Sequence, residues 1–363
     1  MLAGRDTIVV NSCAVTGTAV KQTRVAIRRA RRARPGAELI VTGCAATIDP
    51  AGFTTMAEVD RVVPNAAKLL PASWGARRAV FPVARHARAF VPVQNGCDHA
   101  CTFCIIPQGR GPSVSTPIEA VVERVNALVS AGHREVVLTG VDLTSYGSER
   151  TLGHLCERLL TETTVERLRL SSVDGHEIDP ALFELLASER RMMPHVHLSL
   201  QAGNDLVLKR MKRRHSRADA IALVARLKAR RDVPIGADLI AGFPTETDAM
   251  FADTLALLDD CDIVHAHIFP YSAREGTPAA RMPQVALEVR RERAARLRAA
   301  AAERKTRWLR TLIGTVQDVL VEKPGDRGHA GNFAEVRTAP APVGSVQRLT
   351  IERLADDHLI GMQ

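Results

Sequence analysis

The chain opens on a short β-branched apolar run over residues 7–11. A helical pattern follows over 18–34, and Pro35-Gly36 ends it. A second apolar run over 38–42 and a weaker one over 59–63 complete a strand–helix–strand alternation, the pattern of a parallel sheet covered by helices. From about residue 90 the alternation becomes regular. Strand-like runs at 90–94, 135–139, 167–171, 195–200, 234–240 and 263–269 are separated by helical patterns, among them 117–131, 152–161, 217–231 and 247–260. A long Arg- and Ala-rich helical pattern, 284–310, closes the series. Six such units predict a partial barrel of parallel strands rather than a closed eightfold one. From Leu312 the period shortens. Runs at 315–322, 333–337 and 346–354 read as strands separated by turns, enough for a small five-stranded β-barrel.

These patterns predict an α/β protein in four parts. An N-terminal α/β domain occupies 1–75, a linker 76–88, the partial barrel 89–307 and the all-β module 308–363. Every strand of the barrel region is followed by a polar or Gly-rich loop, and in parallel β/α architectures such loops share one rim, where active sites lie.

Composition narrows the class. Of 363 residues, 46% are hydrophobic and 25% charged, which excludes a disordered chain. Aromatics are only 4%, so the core is built from Ala, Val, Leu and Ile. No apolar run reaches the roughly 18 residues of a membrane span and the start lacks a signal-peptide core, so a soluble, cytoplasmic protein with no membrane partner is expected. The net charge of +9 is uneven, because residues 1–88 alone hold 14 basic and 5 acidic side chains. Much of the excess sits on the 18–34 helix, at Arg24, Arg28, Arg29, Arg31, Arg32 and Arg34. Such a run is either a solvated helix face or a phosphate-contacting surface.

Seven cysteines include one tight group, Cys97-Asp-His-Ala-Cys101-Thr-Phe-Cys104. An odd count with one cluster does not suit a disulfide framework. Three thiolates at this spacing can hold three corners of a [4Fe–4S] cluster and leave one iron for a substrate. The alternative is a zinc site with His99 as fourth ligand. Cys156 and Cys261 lie in helical surroundings and read as buried thiols. His176, His195, His197, His265 and His267 read as satisfied structural histidines. Gly242-Phe-Pro-Thr-Glu246 lacks the Lys of a phosphate loop, which argues against nucleotide hydrolysis.

Cys97, Cys101 and Cys104, with Phe103 beside them on the first strand of a six-unit partial barrel, resemble the radical S-adenosylmethionine (SAM) superfamily. The resemblance implies that SAM chelates the open iron and is cleaved reductively to a 5′-deoxyadenosyl radical, the protein supplying binding and orientation. Asn11-Ser-Cys13-Ala-Val-Thr16, Thr42-Gly-Cys44, Gln94-Asn-Gly-Cys97 through Arg110-Gly111, Leu198-Ser-Leu-Gln201-Ala-Gly203-Asn204, Asp238-Leu-Ile-Ala-Gly242-Phe-Pro244 and Phe269-Pro-Tyr-Ser272 through Thr277-Pro-Ala-Ala280 are similar, in order, to the methylthiotransferases. Within that family, 93–99 and 267–282 look most like the branch acting on N6-threonylcarbamoyladenosine at position 37 of tRNA, where a methylthio group is added at adenine C2. Sister branches act on isopentenyladenosine in tRNA or on an aspartate of a ribosomal protein.

The resemblance implies further parts. A second [4Fe–4S] cluster would be held by Cys13 and Cys44, which match the second and third ligands of the family's N-terminal domain. The first ligand falls upstream of Cys13, so the reading expects a shortened start, with a non-catalytic RNA-binding remnant as the alternative. Candidate SAM contacts at barrel-strand ends are Phe103, Thr139, Gly140, Ser172, Gln201 and Asp238. The C-terminal module resembles a TRAM RNA-binding barrel. Arg24, Arg28, Arg29, Arg31 and Arg32 become candidate contacts to the tRNA anticodon stem-loop, and an electron-donor protein and a sulfur donor are implied partners. At Val114 the family pattern would have an Arg, while Arg110 remains as a contact for an anionic substrate.

Overall fold

Three parallel strands, Thr7–Ser12, Glu38–Gly43 and Arg61–Val63, form the first sheet in that order. The structure is a computed structural model that describes residues 6–68, 70–75, 86–147 and 151–363. The chain divides into two compact units: one comprises Met1–Pro82, Gly96–Ser113 and Ser272–Met282, the other Val83–Asn95, Val114–Tyr271 and Pro283–Gln363. The first unit therefore joins the N-terminal sheet to the cysteine loop and to a late segment that local pattern assigns to the barrel. Most of the expected linker, residues 76–85, lies outside the described residues.

In the first unit the Arg-rich helix spans Gly17–Ala33. Thr16 caps it by accepting the Ala19 N–H at 3.1 Å, and the helix stops at Arg34 because Pro35 follows. Ile27 and Thr23 face inward while Arg28, Arg29, Arg32 and Arg34 are exposed. Ile27 packs with Ala14, Leu39, Val41, Phe53 and Ile105. The third strand is shorter than its apolar run, because Asp60 turns its carboxylate onto the Leu39 N–H at 2.6 Å and only three residues pair. The short helices Cys44–Ile48, Pro50–Thr54 and Ile106–Arg110 span five residues each, too few to show a 3.6-residue period.

The second unit holds the expected partial barrel. Its six parallel strands form two three-stranded sheets, Arg88–Pro92, Glu135–Thr139 and Arg167–Leu170, then Val196–Gln201, Ile235–Ala241 and Ile263–Pro270. A single bridge, Val173 to Leu198, ties the segment after the third strand to the fourth, and another joins Leu168 to Met192. Helices on the outside include Ile118–Ser130, Leu152–Glu162, Arg217–Lys228 and Asp248–Asp260. Pro180–Ser188 adds another, capped by Asp179, whose Asp-Pro start is a legible signal in hindsight. Cys156 and Cys261 are fully buried, and burial pushes the Cys261 thiol up to about 12 and the Cys156 thiol higher still.

The long helix Leu287–Thr311 leads into a closed five-stranded barrel, Val316–Glu322, Arg327–Ala330, Glu335–Arg337, Val346–Ala355 and His358–Met362. Leu309 and Leu312 enter its core. Two of its strands escaped the sequence reading, since Arg327–Ala330 has few apolar residues and His358–Met362 is terminal. The strand expected from Phe333 starts only at Glu335, because Phe333 adopts a left-handed backbone, φ +70°. No described helix is long and apolar enough to cross a membrane.

Candidate metal centres and a polar barrel lumen

The cysteine loop leaves the strand pair Gln94–Asn95 and Val114–Ser115 through Gly96, whose φ of +76° suits only glycine; a Cβ there would fall 2.7 Å from the Gly111 oxygen. The loop backbone is pinned by partners in its own unit. Cys97 N–H donates to the Gly111 carbonyl at 3.2 Å, Cys104 N–H to the Cys101 carbonyl at 3.1 Å, and Ala279 N–H to the Thr102 carbonyl at 2.9 Å. Ser113 N–H donates to Asp98 at 3.1 Å. Cys97, Cys101 and Cys104 are half-buried, Phe103 among them is too, and all seven cysteines carry thiols rather than disulfides. The His99 N–H lies 3.4 Å from Cys97 Sγ, the backbone donor a thiolate accepts. A fixed, half-buried loop presenting three thiols with an N–H directed at one of them fits a [4Fe–4S] cluster.

Cys13 and Cys44 sit at the carboxyl edge of the first sheet. Ser12 and Gly43 are register partners, so the two cysteines are the next residues on adjacent strands. Gly43, φ +99°, has no room for a side chain, since a Cβ would lie 2.6 Å from Ser12 N. Ser12 locks this edge by donating to the Thr42 carbonyl at 2.6 Å and accepting the Ala46 N–H at 2.9 Å. Cys13 is exposed and Cys44 is buried. Cys44 Sγ accepts from Arg110 Nε at 3.0 Å and Asn65 Nδ2 at 3.4 Å, and Asn65 Nδ2 also lies 2.6 Å from the Gly109 carbonyl. Two N–H donors on one buried sulfur suit a metal-bound thiolate. Arg110, expected from sequence to face an anionic substrate, is a partner of this cysteine. Sequence reading missed Asn65 altogether, because a lone Asn in a turn carries no signal.

The candidate RNA-contacting arginines separate. Arg31 donates to the Glu58, Pro35 and Ala37 carbonyls at 2.7–3.1 Å and pairs with Asp60, so it holds the fold. Arg24 pairs with Asp49 at 3.2 Å and covers the Phe53 ring. Arg28 lies 3.8 Å from Glu58, while Arg29 and Arg32 are exposed.

The barrel lumen of the second unit is a cavity of about 470 Å³. Of the candidate SAM contacts, Thr139 and Ser172 line it. Gly140 lies against Gln94, whose Oε1 accepts the Val141 and Asp142 N–H groups at 2.9 Å. Gln201 ends its strand in a left-handed conformation, φ +69°. Asp238 is flanked by His197 and His267, each with a ring nitrogen 3.2 Å from Oδ1. Burial would raise its carboxyl, but the two imidazoles outweigh that and hold it at about 2, while the same contact raises His267. Glu246 is buried in the turn after the fifth strand, where it accepts the Gly242 N–H at 2.8 Å and pairs with Arg293 at 2.9 Å, a structural role in place of a phosphate loop.

Two of the five histidines, His195 and His265, correct the sequence reading, whereas His197 and His267 have Asp238 as a partner. His195 is buried with neither ring nitrogen hydrogen-bonded, and His265 Nε2 is buried without a partner. Burial, then neighbouring His265 and Arg169, pull His195 well below the usual histidine range; burial and Lys305 pull His265 down to about 3. These are polar walls of the lumen rather than satisfied core residues.

Comparison with known proteins fits this geometry. The radical SAM superfamily matches residues 91–258, and the uncharacterized protein family UPF0004 matches residues 3–64. The chain is 45% identical, over all of its length and 90% of the relative's, to the threonylcarbamoyladenosine tRNA methylthiotransferase MtaB of Rickettsia prowazekii (strain Madrid E). The protein of that name from Chlamydia pneumoniae is 33% identical over 98% of this chain and 88% of its own. A tRNA-2-methylthio-N(6)-dimethylallyladenosine synthase from Novosphingobium aromaticivorans is 35% identical over 90% and 80%. Among solved structures, the radical SAM methyltransferase TsrM of Kitasatospora setae shares the fold, with a TM-score of 0.54 and 17% identity over 77% of this chain and 65% of that one. With three thiols in one pinned loop and a full-length likeness of 45%, the chain belongs to the radical SAM methylthiotransferase family.

Proposed function

We propose that this protein adds a methylthio group to C2 of N6-threonylcarbamoyladenosine at position 37 of tRNA. The observation that carries the reading is the 45% full-length identity to a threonylcarbamoyladenosine tRNA methylthiotransferase, against 35% for the dimethylallyladenosine synthase. When bound, the [4Fe–4S] clusters and SAM supply one-electron activation of an unreactive C–H bond and a methylated sulfur. Cys97, Cys101 and Cys104 would hold the SAM-binding cluster, and the pinned loop backbone keeps their spacing. Cys13 and Cys44 would serve the second, with Arg110 and Asn65 directing the Cys44 sulfur. Phe103, Thr139, Gly140, Ser172, Gln201 and Asp238 are the proposed SAM contacts. Asp238 stays ionised through the physiological range and is oriented by His267, so it offers a charged acceptor at a fixed place.

Base 37 lies in a single-stranded loop, where a base can be presented to a pocket. The proposed partners are thus the anticodon stem-loop, an electron-donor protein and a sulfur donor, and the proposed compartment is the cytoplasm. The test is mass spectrometry of nucleosides from tRNA carrying threonylcarbamoyladenosine, incubated anaerobically with reconstituted protein, reductant, sulfide and SAM. The expected product is the 2-methylthio derivative of that nucleoside. Product only on isopentenyladenosine, or none on either, would overturn the reading.

A further inference from the structure

Buried polar atoms without partners are scarce in folded proteins, because each costs stability. In this molecule five of them belong to residues that line one cavity. His195 contributes both ring nitrogens, His265 its Nε2, Ser171 its Oγ and Arg169 its Nη1. Arg169 is only 3% exposed. Its Nε donates to Glu135 at 2.8 Å and its Nη2 to the Gly331 carbonyl at 3.1 Å, which leaves Nη1 as the nitrogen without a partner on this lining residue. The Phe333 ring fixes this wall from the C-terminal barrel. Arg169 lies over it at 5.0 Å, and His195 stacks on it at 4.9 Å. The lining also includes Arg88, Arg298 and Lys305, and no carboxylate among the described residues. A cavity with cationic walls and unsatisfied donors and acceptors is built for a polar anion rather than for an alkyl chain.

The two nucleosides named for this chain's relatives differ in this respect. A threonylcarbamoyl substituent carries a carboxylate, a hydroxyl and a ureido group; a dimethylallyl substituent carries none. Arg169 and Lys305 suit the carboxylate, since both only donate. Neutral imidazoles and a serine hydroxyl both donate and accept, which suits the hydroxyl and the ureido group.

We infer that this lumen is the substrate-specificity subsite, in which Arg169 and Lys305 bind the threonyl carboxylate while Ser171, His195 and His265 bind the neighbouring polar groups. The inference rests on the proposed reaction and adds the residues that choose its substrate. A site built on hydrogen bonds rejects an analogue lacking them, because its own groups would stay unpaired.

The experiment is equilibrium binding of the full-length protein to three anticodon stem-loops, bearing threonylcarbamoyladenosine, its carboxyl methyl ester, or isopentenyladenosine. The unmodified protein should bind the first at least tenfold more tightly than the other two. Lys305→Met should shrink both ratios severalfold, whereas Ser171→Ala should shrink only the ratio to isopentenyladenosine, because the ester keeps the hydroxyl and ureido groups and loses affinity in step; a merely structural effect would not separate the two ratios. Arg169→Gln should abolish the ratio; because Arg169 also pairs with Glu135, the half-buried Lys305 keeps the test decisive if that variant does not fold. Ratios near one, an acid-to-ester ratio that survives Lys305→Met, or an isopentenyladenosine ratio that survives Ser171→Ala, overturns the subsite. That would also be the result if the anion held here were the carboxylate of SAM. Formation of methylthio product is scored separately on the same loops. Product with a ratio near one removes the subsite and keeps the reaction, whereas a carboxylate-dependent ratio without product removes the reaction and keeps the subsite.

Discussion

Arg110 donates its Nε–H to Cys44 Sγ at 3.0 Å, joining the helix that follows the Cys97–Cys104 loop to the edge of the N-terminal sheet. The packing is close, for a Cβ on Gly109 would lie 2.9 Å from Cys44 Cβ. One short helix, Ile106–Arg110, thus runs from one set of cysteines to the other within a single compact unit. Partners that orient a ligand typically change metal affinity 10–100-fold. Arg110→Gln should therefore lower the iron and sulfide retained per chain after anaerobic reconstitution toward the level of a Cys13→Ala, Cys44→Ala double variant. The Cys97–Cys104 site should still cleave SAM. Iron content equal to that of the unmodified protein would show that Arg110 does not support the Cys44 site.

At the entry ends of the barrel strands, Glu135 lies between Arg167 and Arg169, at 2.7 and 2.8 Å, with all three side chains nearly inaccessible. Burial would raise the Glu135 carboxyl, but the two guanidinium groups outweigh it and hold it below the usual carboxylate range. Each arginine also reaches a carbonyl of the C-terminal barrel, Asp318 for Arg167 and Gly331 for Arg169. Removing the shared anion leaves two buried cations uncompensated. Glu135→Gln should cost about 3–5 kcal/mol, read as a lower urea midpoint at unchanged m-value.

The parts legible in the sequence were those with a long period or a fixed spacing. Six strand runs and the Cys97–Cys104 spacing led to the partial barrel and its candidate cluster loop because each signal repeats or is self-contained. What was not legible depends on side chains meeting across the chain. Nothing near Asn65 or Arg110 indicates that both converge on Cys44. His195 and His265 looked like core histidines because a single residue's position does not reveal whether its nitrogens find partners. Segment 272–282 continues the last barrel strand in sequence, yet its Ala279 N–H bonds the Thr102 carbonyl of the cysteine loop.

The lumen histidines make the fold sensitive to acid. His265, with a folded pKa of about 3, and His195, well below the ordinary value of about 6.5, both resist protonation, chiefly through burial. Below pH 6.5 the unfolded chain binds protons that the native state refuses, so stability falls as pH drops. Each imidazole contributes up to about 1.4 kcal/mol per pH unit over that window. Asp238 adds loss in the same direction as pH approaches 2, whereas His267, raised by Asp238, opposes it slightly. Urea unfolding at pH 7, 6 and 5 should show declining stability, and His265→Gln should flatten the slope. An unchanged slope in that variant would mean that His265 is already protonated in the native state.

The Arg-rich helix contains two kinds of arginine, and they should respond differently to substitution. Arg31 donates to the Glu58, Pro35 and Ala37 carbonyls, and Arg31→Ala leaves those groups and Asp60 without it. That change should cost about 2–3 kcal/mol in stability of the first unit. Arg29 and Arg32 are exposed, so their removal should leave stability within about 0.5 kcal/mol. If this face grips tRNA phosphates, Arg29→Ala with Arg32→Ala should weaken tRNA binding and reduce the slope of log affinity against log salt by about 1 per arginine lost. The reduction should be equal for tRNAs with and without the modified base, because phosphate contacts carry no base information. A slope unchanged in the double variant would assign the helix to solvent and move the tRNA contact elsewhere.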